Sequence, residues 1–197
     1  MTYQFMGYSL TQTQLIVAAV IVAVLILVAV GAILERRRTR TVAFRNRFGS
    51  EYDRAVHTHG SVNEAESKLA ARETRVEALK IRELGITERE RFVTEWSTVQ
   101  FRFVDHPKAA VIEADDLINA LLEARGYPRS TFEQRANDVS VTYPRVMENY
   151  RAAHLIAVRP GQVEATTEEL RTAIIKYRDI FDDLLRVQKP IETKTAA

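Results

Sequence analysis

The sequence predicts an all-α protein with one N-terminal transmembrane helix, a charged helical stalk and a compact helical bundle domain. Three observations carry that expectation. The run Leu15 to Leu34, LIVAAVIVAVLILVAVGAIL, holds no charged, amide or hydroxyl side chain. Behind it, apolar residues recur at spacings of three and four, with capping text at the starts of the segments. No alternating apolar run bounded by turns argues for a strand. The chain then divides into an extracytoplasmic N-terminus (1–14), the transmembrane helix (15–34), a basic juxtamembrane segment (35–47), a helical stalk or arm (48–85), the bundle (86–188) and a flexible tail (189–197).

Crossing a hydrocarbon core of about 30 Å takes about 20 residues at about 1.5 Å each, and the run 15–34 supplies that number. Lipid offers no partners for backbone N–H and C=O groups, so a lone apolar segment closes its own hydrogen bonds as a helix. Tyr3, Phe5 and Tyr8 precede the span and suit the headgroup layer. A cleaved secretory signal would carry its positive charge before the apolar run; here the charge follows it. Arg36, Arg37, Arg38, Arg40, Arg45 and Arg47 lie just behind the span and nothing basic precedes it. That asymmetry predicts an N-terminus outside and a domain in the cytoplasm, in the inner (plasma) membrane. The same six arginines are the topology-determining and lipid-contacting candidates, since each basic group near an anionic leaflet contributes on the order of 1 kcal/mol. Ala19 and Ala23 form a small-xxx-small pair within the span, which would let two copies approach as a homo-oligomer.

The formal charge of +2 conceals a division. Residues 35–47 hold six arginines against one glutamate, so residues 48–197 carry a net −3. A mildly acidic domain does not attract nucleic acid, and no nucleic-acid partner is expected. The absence of cysteine excludes a disulfide framework, a thiolate metal site and a Cys nucleophile.

Phe44, Phe48, Tyr52 and Val56 fall at i, i+4, i+8 and i+12, one face of a helix that stops near His59-Gly60. Ser61 restarts the chain. Residues 61–84 mix five acidic with five basic side chains around a narrow seam of Val62, Ala65, Leu69, Val76 and Leu79, interrupted by Arg72. Such a helix packs on a single surface, either its own domain or, as a coiled coil, another chain.

Thr87-x-x-Glu90 is capping-box text opening a helix with Phe92, Trp96, Val99 and Phe103 inward. Pro107 suits the first position of the next helix, whose stripe is Ala110, Val111, Ala114, Leu117, Ile118, Leu121 and Leu122, with Gly126 as its stop. Ser130-x-x-Glu133 opens a short helix with Phe132, Ala136 and Val139 inward, after which SVTYP is expected to run extended. From Pro144, the residues Val146, Met147, Tyr150, Ala153, His154 and Ala157 share a face until Arg159-Pro160-Gly161. Thr166-x-x-Glu169 opens the last helix, with Leu170, Ala173, Ile174, Tyr177, Phe181, Leu184 and Leu185 on one stripe.

No phosphate-cradling, dinucleotide, zincin or nucleophile-elbow motif occurs, so no catalytic, metal or cofactor residue is assigned. His57 and His59 stand i, i+2 on a helix and point to different sides. His154 sits on an apolar stripe, where a hydrogen-bonded core histidine is the commoner case. Asp115-Asp116 and Asp182-Asp183 diverge by about 100° on a helix and do not chelate easily.

The run ERERFVTEWSTVQFRFVDHPKAAVIEADDLINALLEARGYP, with FEQRANDVSVTYPRVMENYRAAH and TTEELRTAIIKYRDIFDDLL, resembles a family of uncharacterised bacterial single-pass membrane proteins with a helical cytoplasmic domain. The likeness spans residues 44–187 and implies a shared helical domain with no known activity. An anchor, a capped helical domain and no chemical constellation point to an adaptor that holds an unidentified protein partner at the membrane. The alternatives are a ligand-binding or enzymatic helical domain acting near the membrane, which needs a deep pocket at His154 or Arg135, and a homo-oligomeric scaffold.

Overall fold

The computed structural model describes residues 3–5, 8–10, 12–159 and 165–186, with side chains from residue 16 onward. The expected tail, the Pro160-Gly161 break and the side chains of Tyr3, Phe5 and Tyr8 lie outside what is described. The chain forms two compact units, Met1–Asn46 and Arg47–Ala197.

In the first unit, β1 (Tyr3–Phe5) and β2 (Tyr8–Leu10) pair antiparallel, with Tyr3 opposite Leu10. Strands of three residues are too short to show the alternation by which a sequence announces a strand. Helix α1 (Gln12–Phe48) follows. It does not stop at the end of the apolar run, because Glu35 and the arginines behind it are good helix formers and no Gly or Pro intervenes before Gly49. Thr39 Oγ1 donates back to the carbonyls of Glu35 and Arg36 at 3.0 Å each.

The second unit is all-α. Gly49, at φ 53°, ends α1 and starts α2 (Ser50–His59). The expected single face through Phe44, Phe48, Tyr52 and Val56 is therefore divided between two helices. Gly60, left-handed at φ 72°, closes α2 as predicted. Ser61 caps α3 (Val62–Glu77) by accepting from the N–H of Glu64 at 3.2 Å.

Five further helices make the bundle: α4 (Ile86–Asp105), α5 (Pro107–Ala124), α6 (Phe132–Thr142), α7 (Met147–Ala157) and α8 (Thr167–Leu185), with a 3₁₀ turn over Pro144–Val146. Helix α5 packs against α4, α7 and α8, and α7 lies along α8. Phe92, Trp96, Ile118, Leu121, Leu122, Met147, Tyr150, Tyr177, Ile180, Phe181 and Leu184 fill the space between them, with Trp96 stacked on Phe181 at 4.7 Å. The first buried residue of this core is Leu84, and Leu79 and Ile81 pack against it. The segment after α3 thus belongs to the bundle.

Three local expectations are corrected. Helix α4 starts two residues early: Gly85 is its N-cap, and Glu88, not Glu90, accepts from the Gly85 N–H at 2.9 Å. Arg82 grips the same carboxylate at 2.7 and 2.8 Å, and this bond with the Gly85 bond holds Glu88 down at about 2. At α6 the cap is Thr131, which accepts from the N–H of Gln134 at 3.3 Å, so Ser130 is one residue outside. Ser140 to Thr142 are helical rather than extended. The proline restricts only the residue before it, and Tyr143, at φ −125° and ψ 53°, alone leaves the helix. Thr166-x-x-Glu169 behaves as its text reads: Thr166 accepts from the Glu169 N–H at 3.2 Å, while Glu169 accepts from Thr166 and Arg159 and sits at about 2.

Candidate functional site

The apolar side chains of α1 from Ile16 to Leu34 are all exposed, Leu27 to 71%. With a mean hydropathy of 3.3 in its best window, α1 is long and apolar enough to cross a membrane. The six arginines of the basic segment are placed differently along it. Arg36, Arg37, Arg38 and Arg40 lie within about 9 Å of Leu34 along a helix axis rising ~1.5 Å per residue. Arg40 also stands over the Phe44 ring at 5.5 Å. Arg45 and Arg47 follow about 17 to 20 Å beyond Leu34 on the same measure, and Arg47 pairs with Glu73 of α3 at 2.8 Å. The cluster read from the sequence as one lipid-facing group therefore has at least one member engaged by the folded domain.

His154 and Arg135, the residues on which an enzymatic reading depended, belong to a closed network. His154 Nδ1 lies 3.1 Å from Asp115 Oδ1, and the Tyr177 hydroxyl donates to the same oxygen at 2.8 Å. Arg135 Nε donates to the Tyr150 hydroxyl at 3.1 Å, and Tyr150 donates onward to Asn119 at 3.4 Å. Phe132 covers the imidazole face to face at 3.6 Å. Burial pushes the Asp115 carboxyl up, but the His154 bond and charge with the Tyr177 bond more than offset it, leaving it below its ordinary value. Burial above all raises Tyr150 to about 12 and drives Tyr177 up as well. These groups satisfy one another across α5, α6, α7 and α8, as buried polar groups in a core must.

Two concavities among the described residues are formed by other side chains. One of about 330 Å³ is lined by Arg145, Asn149, Asp179, Asp182, Asp183 and Arg186. Its carboxylates are engaged, Asp179 by Asn149 at 2.7 Å and Asp183 by Arg145 and Arg186 at 3.3 Å. His57 is exposed and His59 half-buried at the end of α2. Among the described residues no group of His, Asp and Glu is arranged to hold a metal ion.

The face that stands out is on α4. Ile86, Val93, Phe101 and Val104 are exposed to 79, 47, 80 and 79%. At 100° per residue these positions form one stripe, about a third of a turn from the face that buries Phe92, Trp96 and Val99. Thr94, Ser97 and Gln100 lie alongside and carry no charge. Glu90, also exposed, falls within the stripe between Ile86 and Val93, and on the flank the ions neutralise one another, Arg91 with Glu95 at 3.6 Å and Arg102 with Glu113. Next in sequence after Val104, residues Asp105, His106, Pro107, Lys108, Ala109 and Ile112 line a concavity of about 470 Å³. The sequence carried the signal for this stripe, apolar residues seven, eight and three apart, but the stronger core periodicity of the same helix masked it.

A second polar network joins α2 and α3 to the bundle. Arg151 of α7 donates from Nε to Glu51 Oε1 at 3.1 Å, from Nη1 to Glu133 at 2.8 Å, and from Nη2 to Glu51 Oε2 at 3.3 Å and Asn137 at 3.2 Å. Glu51 and Arg151 are buried, at 3 and 8% exposure. Burial works against the Arg151 charge, but Glu51 and Glu133 outweigh it and raise its pKa. Arg72 stands 4.0 Å from Glu51, its Nη1 buried without a hydrogen bond, and burial lowers its pKa despite Glu51. Arg75 Nε pairs with the buried Asp138 at 3.0 Å, and Gln134 donates to that carboxylate at 2.8 Å.

The chain matches no model of a known protein family, no curated protein and no solved structure. The functional reading rests on these surfaces alone.

Proposed function

We propose that the chain is a single-pass inner-membrane adaptor, N-terminus outside, whose cytoplasmic bundle docks a partner protein on the exposed face of α4. One observation carries this reading: Phe101 and Val104 stand about four-fifths exposed in line with Ile86 and Val93, on a helix whose other side is core. Exposed apolar residues scattered singly need no explanation, but an aligned stripe of them marks an interaction surface. From Ile86 to Val104 it extends about 27 Å at ~1.5 Å per residue, a match for an amphipathic partner helix laid along it. The one charge within the stripe is the carboxylate of Glu90 and the ion pairs on its flank are self-neutralised, which argues for a protein contact and against an anionic polymer. The arginines from Arg36 to Arg40 supply the membrane contact, with anionic headgroups as their partners.

A photocrosslinking residue placed at Val93 in the full chain, irradiated in intact membranes, tests the reading. The expected result is one discrete adduct with a protein other than the chain itself, lost in the V104E variant while the helical fold is retained. An adduct with a second copy alone would replace the adaptor by a homo-oligomeric scaffold, and no adduct would remove the docking role of α4. A reporter enzyme fused at either end tests orientation separately, and an extracytoplasmic C-terminal domain would overturn the cytoplasmic assignment.

A further inference from the structure

The segment between α1 and the bundle is joined to the bundle differently from the way the bundle is joined to itself. Phe48, Tyr52, Ala55, Ala65, Leu69 and Val76 are buried, yet none belongs to the core that runs from Leu84 to Leu184. Helix α2 packs mainly on α3, and together they meet α6 and α7. Three ion pairs cross that boundary, Glu51 with Arg151, Arg54 with Glu133 and Arg75 with Asp138, while Arg72 stands beside Glu51 on the α2–α3 side and Asn137 accepts from Arg151 on the other. Signs alternate across the boundary, so each carboxylate meets a guanidinium. A seam of this kind differs from an apolar one in two respects. The released groups find good solvation in water, and the geometry is lost sharply when one member is removed.

At its α1 end the segment turns at Gly49, at φ 53°, and Gly60, at φ 72°, makes the turn between α2 and α3. At the other end the chain is fastened just after α3 finishes. Arg82 N–H donates to the Arg125 carbonyl at 2.8 Å, and Gly126 comes so close to Lys80 that a Cβ there would lie 2.5 Å from its carbonyl oxygen. The turn at Ala78 is therefore the last point before the bundle takes hold.

We infer that α2 and α3 form an arm latched to the bundle by Arg151, which opens as a unit about Ala78 while the bundle stays folded. Because the arm lies in the chain between α1 and the bundle, opening lengthens the connection between them. Helices α2 and α3 stay packed on each other, held in part by Tyr52 donating to Glu66 at 3.4 Å, and the pair swings as one hairpin that carries the α1 end at Gly49 away from α6 and α7. The inference is independent of the docking face on α4. Its elements are Glu51 as the buried catch, Arg151 as the post that holds it, and Asp138 with Arg75 as a second clasp nearer the turn.

The test uses the full chain in lipid nanodiscs. Hydrogen exchange is compared between the native sequence and R151M, which keeps an unbranched apolar stem and removes the guanidinium with its charge. The arm predicts that amides of α2 and α3 exchange faster by about tenfold or more in R151M, with α4, α5 and α8 unchanged. The native chain has no cysteine, so spin labels at S67C on α3 and A120C on α5 report the distance directly. A single distance in the native background and a second, longer population with R151M are expected. Uniform acceleration in all helices would show that α2 and α3 belong to one cooperative core, and unchanged exchange in α2 and α3 would show that Arg151 latches nothing. A V111A variant, which removes core volume in α5, serves as the reciprocal control: it should accelerate α4, α5 and α8 and leave exchange in α2 and α3 unchanged.

Discussion

Between Leu84 and Leu184 the buried space is filled by aromatic and aliphatic side chains, whereas the α2–α3 pair meets α6–α7 with the buried charges of Glu51, Asp138 and Arg151 set among its apolar residues. Both regions exclude water and both are closely fitted, but they respond to damage in different ways. An apolar core loses stability in proportion to the volume removed and distributes the loss over every helix that touches it. An ion-paired seam loses little until one partner goes, and then leaves the other buried without compensation. The comparison also separates what holds the fold from what can move within it.

The largest effect is expected in the bundle core. F92A should lower the unfolding free energy by about 3–5 kcal/mol, measured by urea denaturation with Trp96, the sole tryptophan, as the fluorescent reporter. L69A deletes a comparable buried side chain in the arm and should cost roughly 2–5 kcal/mol locally. That loss should appear as faster exchange in α2 and α3, with the Trp96 transition nearly unmoved. Equal shifts of the Trp96 transition in both variants would dissolve the distinction between the two regions.

The bundle should also carry the acid sensitivity. The Asp115 carboxyl is held below its ordinary 3.8, and Glu88 and Glu169 lie near 2 against an ordinary 4.5. A depressed folded pKa supplies stability above the unfolded value and loses it as pH falls through the folded one. Stability should therefore be level from neutral pH to about 4.5 and then decline towards pH 2, with D115N flattening part of that slope in a thermal-melt series.

Much of the fold was legible because its punctuation is chemical. Thr166 with Glu169, Pro107, Gly60 and Ser61 each do what their side chains make easiest, and the stripes of α5 and α8 were readable from spacing alone. The misses have identifiable causes. Glu88 competed with Glu90 for the start of α4 and won because Arg82 holds it in place. Gly49 broke a face that apolar spacing had made continuous, since periodicity does not register φ. The Glu51–Arg151 contact joins residues 100 positions apart, and Arg72 looked like an interruption of the α3 seam because its partner lay on another helix. For the same reason the closed network of Asp115, His154 and Tyr177 could be read from sequence only as a lone histidine on an apolar face.

Smaller effects refine the picture. T166A should cost about 1 kcal/mol through lost capping of α8, read as a shift in the same urea midpoint. F101S should leave that midpoint within about 0.5 kcal/mol, because its side chain is 80% exposed, while abolishing adduct formation from Val93.

The difference between arm and bundle is tested most directly by native-state hydrogen exchange of the unmodified full chain across low denaturant concentrations. Amides of α2 and α3 should share one opening, lower in free energy and weaker in denaturant dependence than that of α4, α5 and α8, which should exchange only through global unfolding. A single opening free energy common to α2 through α8 would contradict the account.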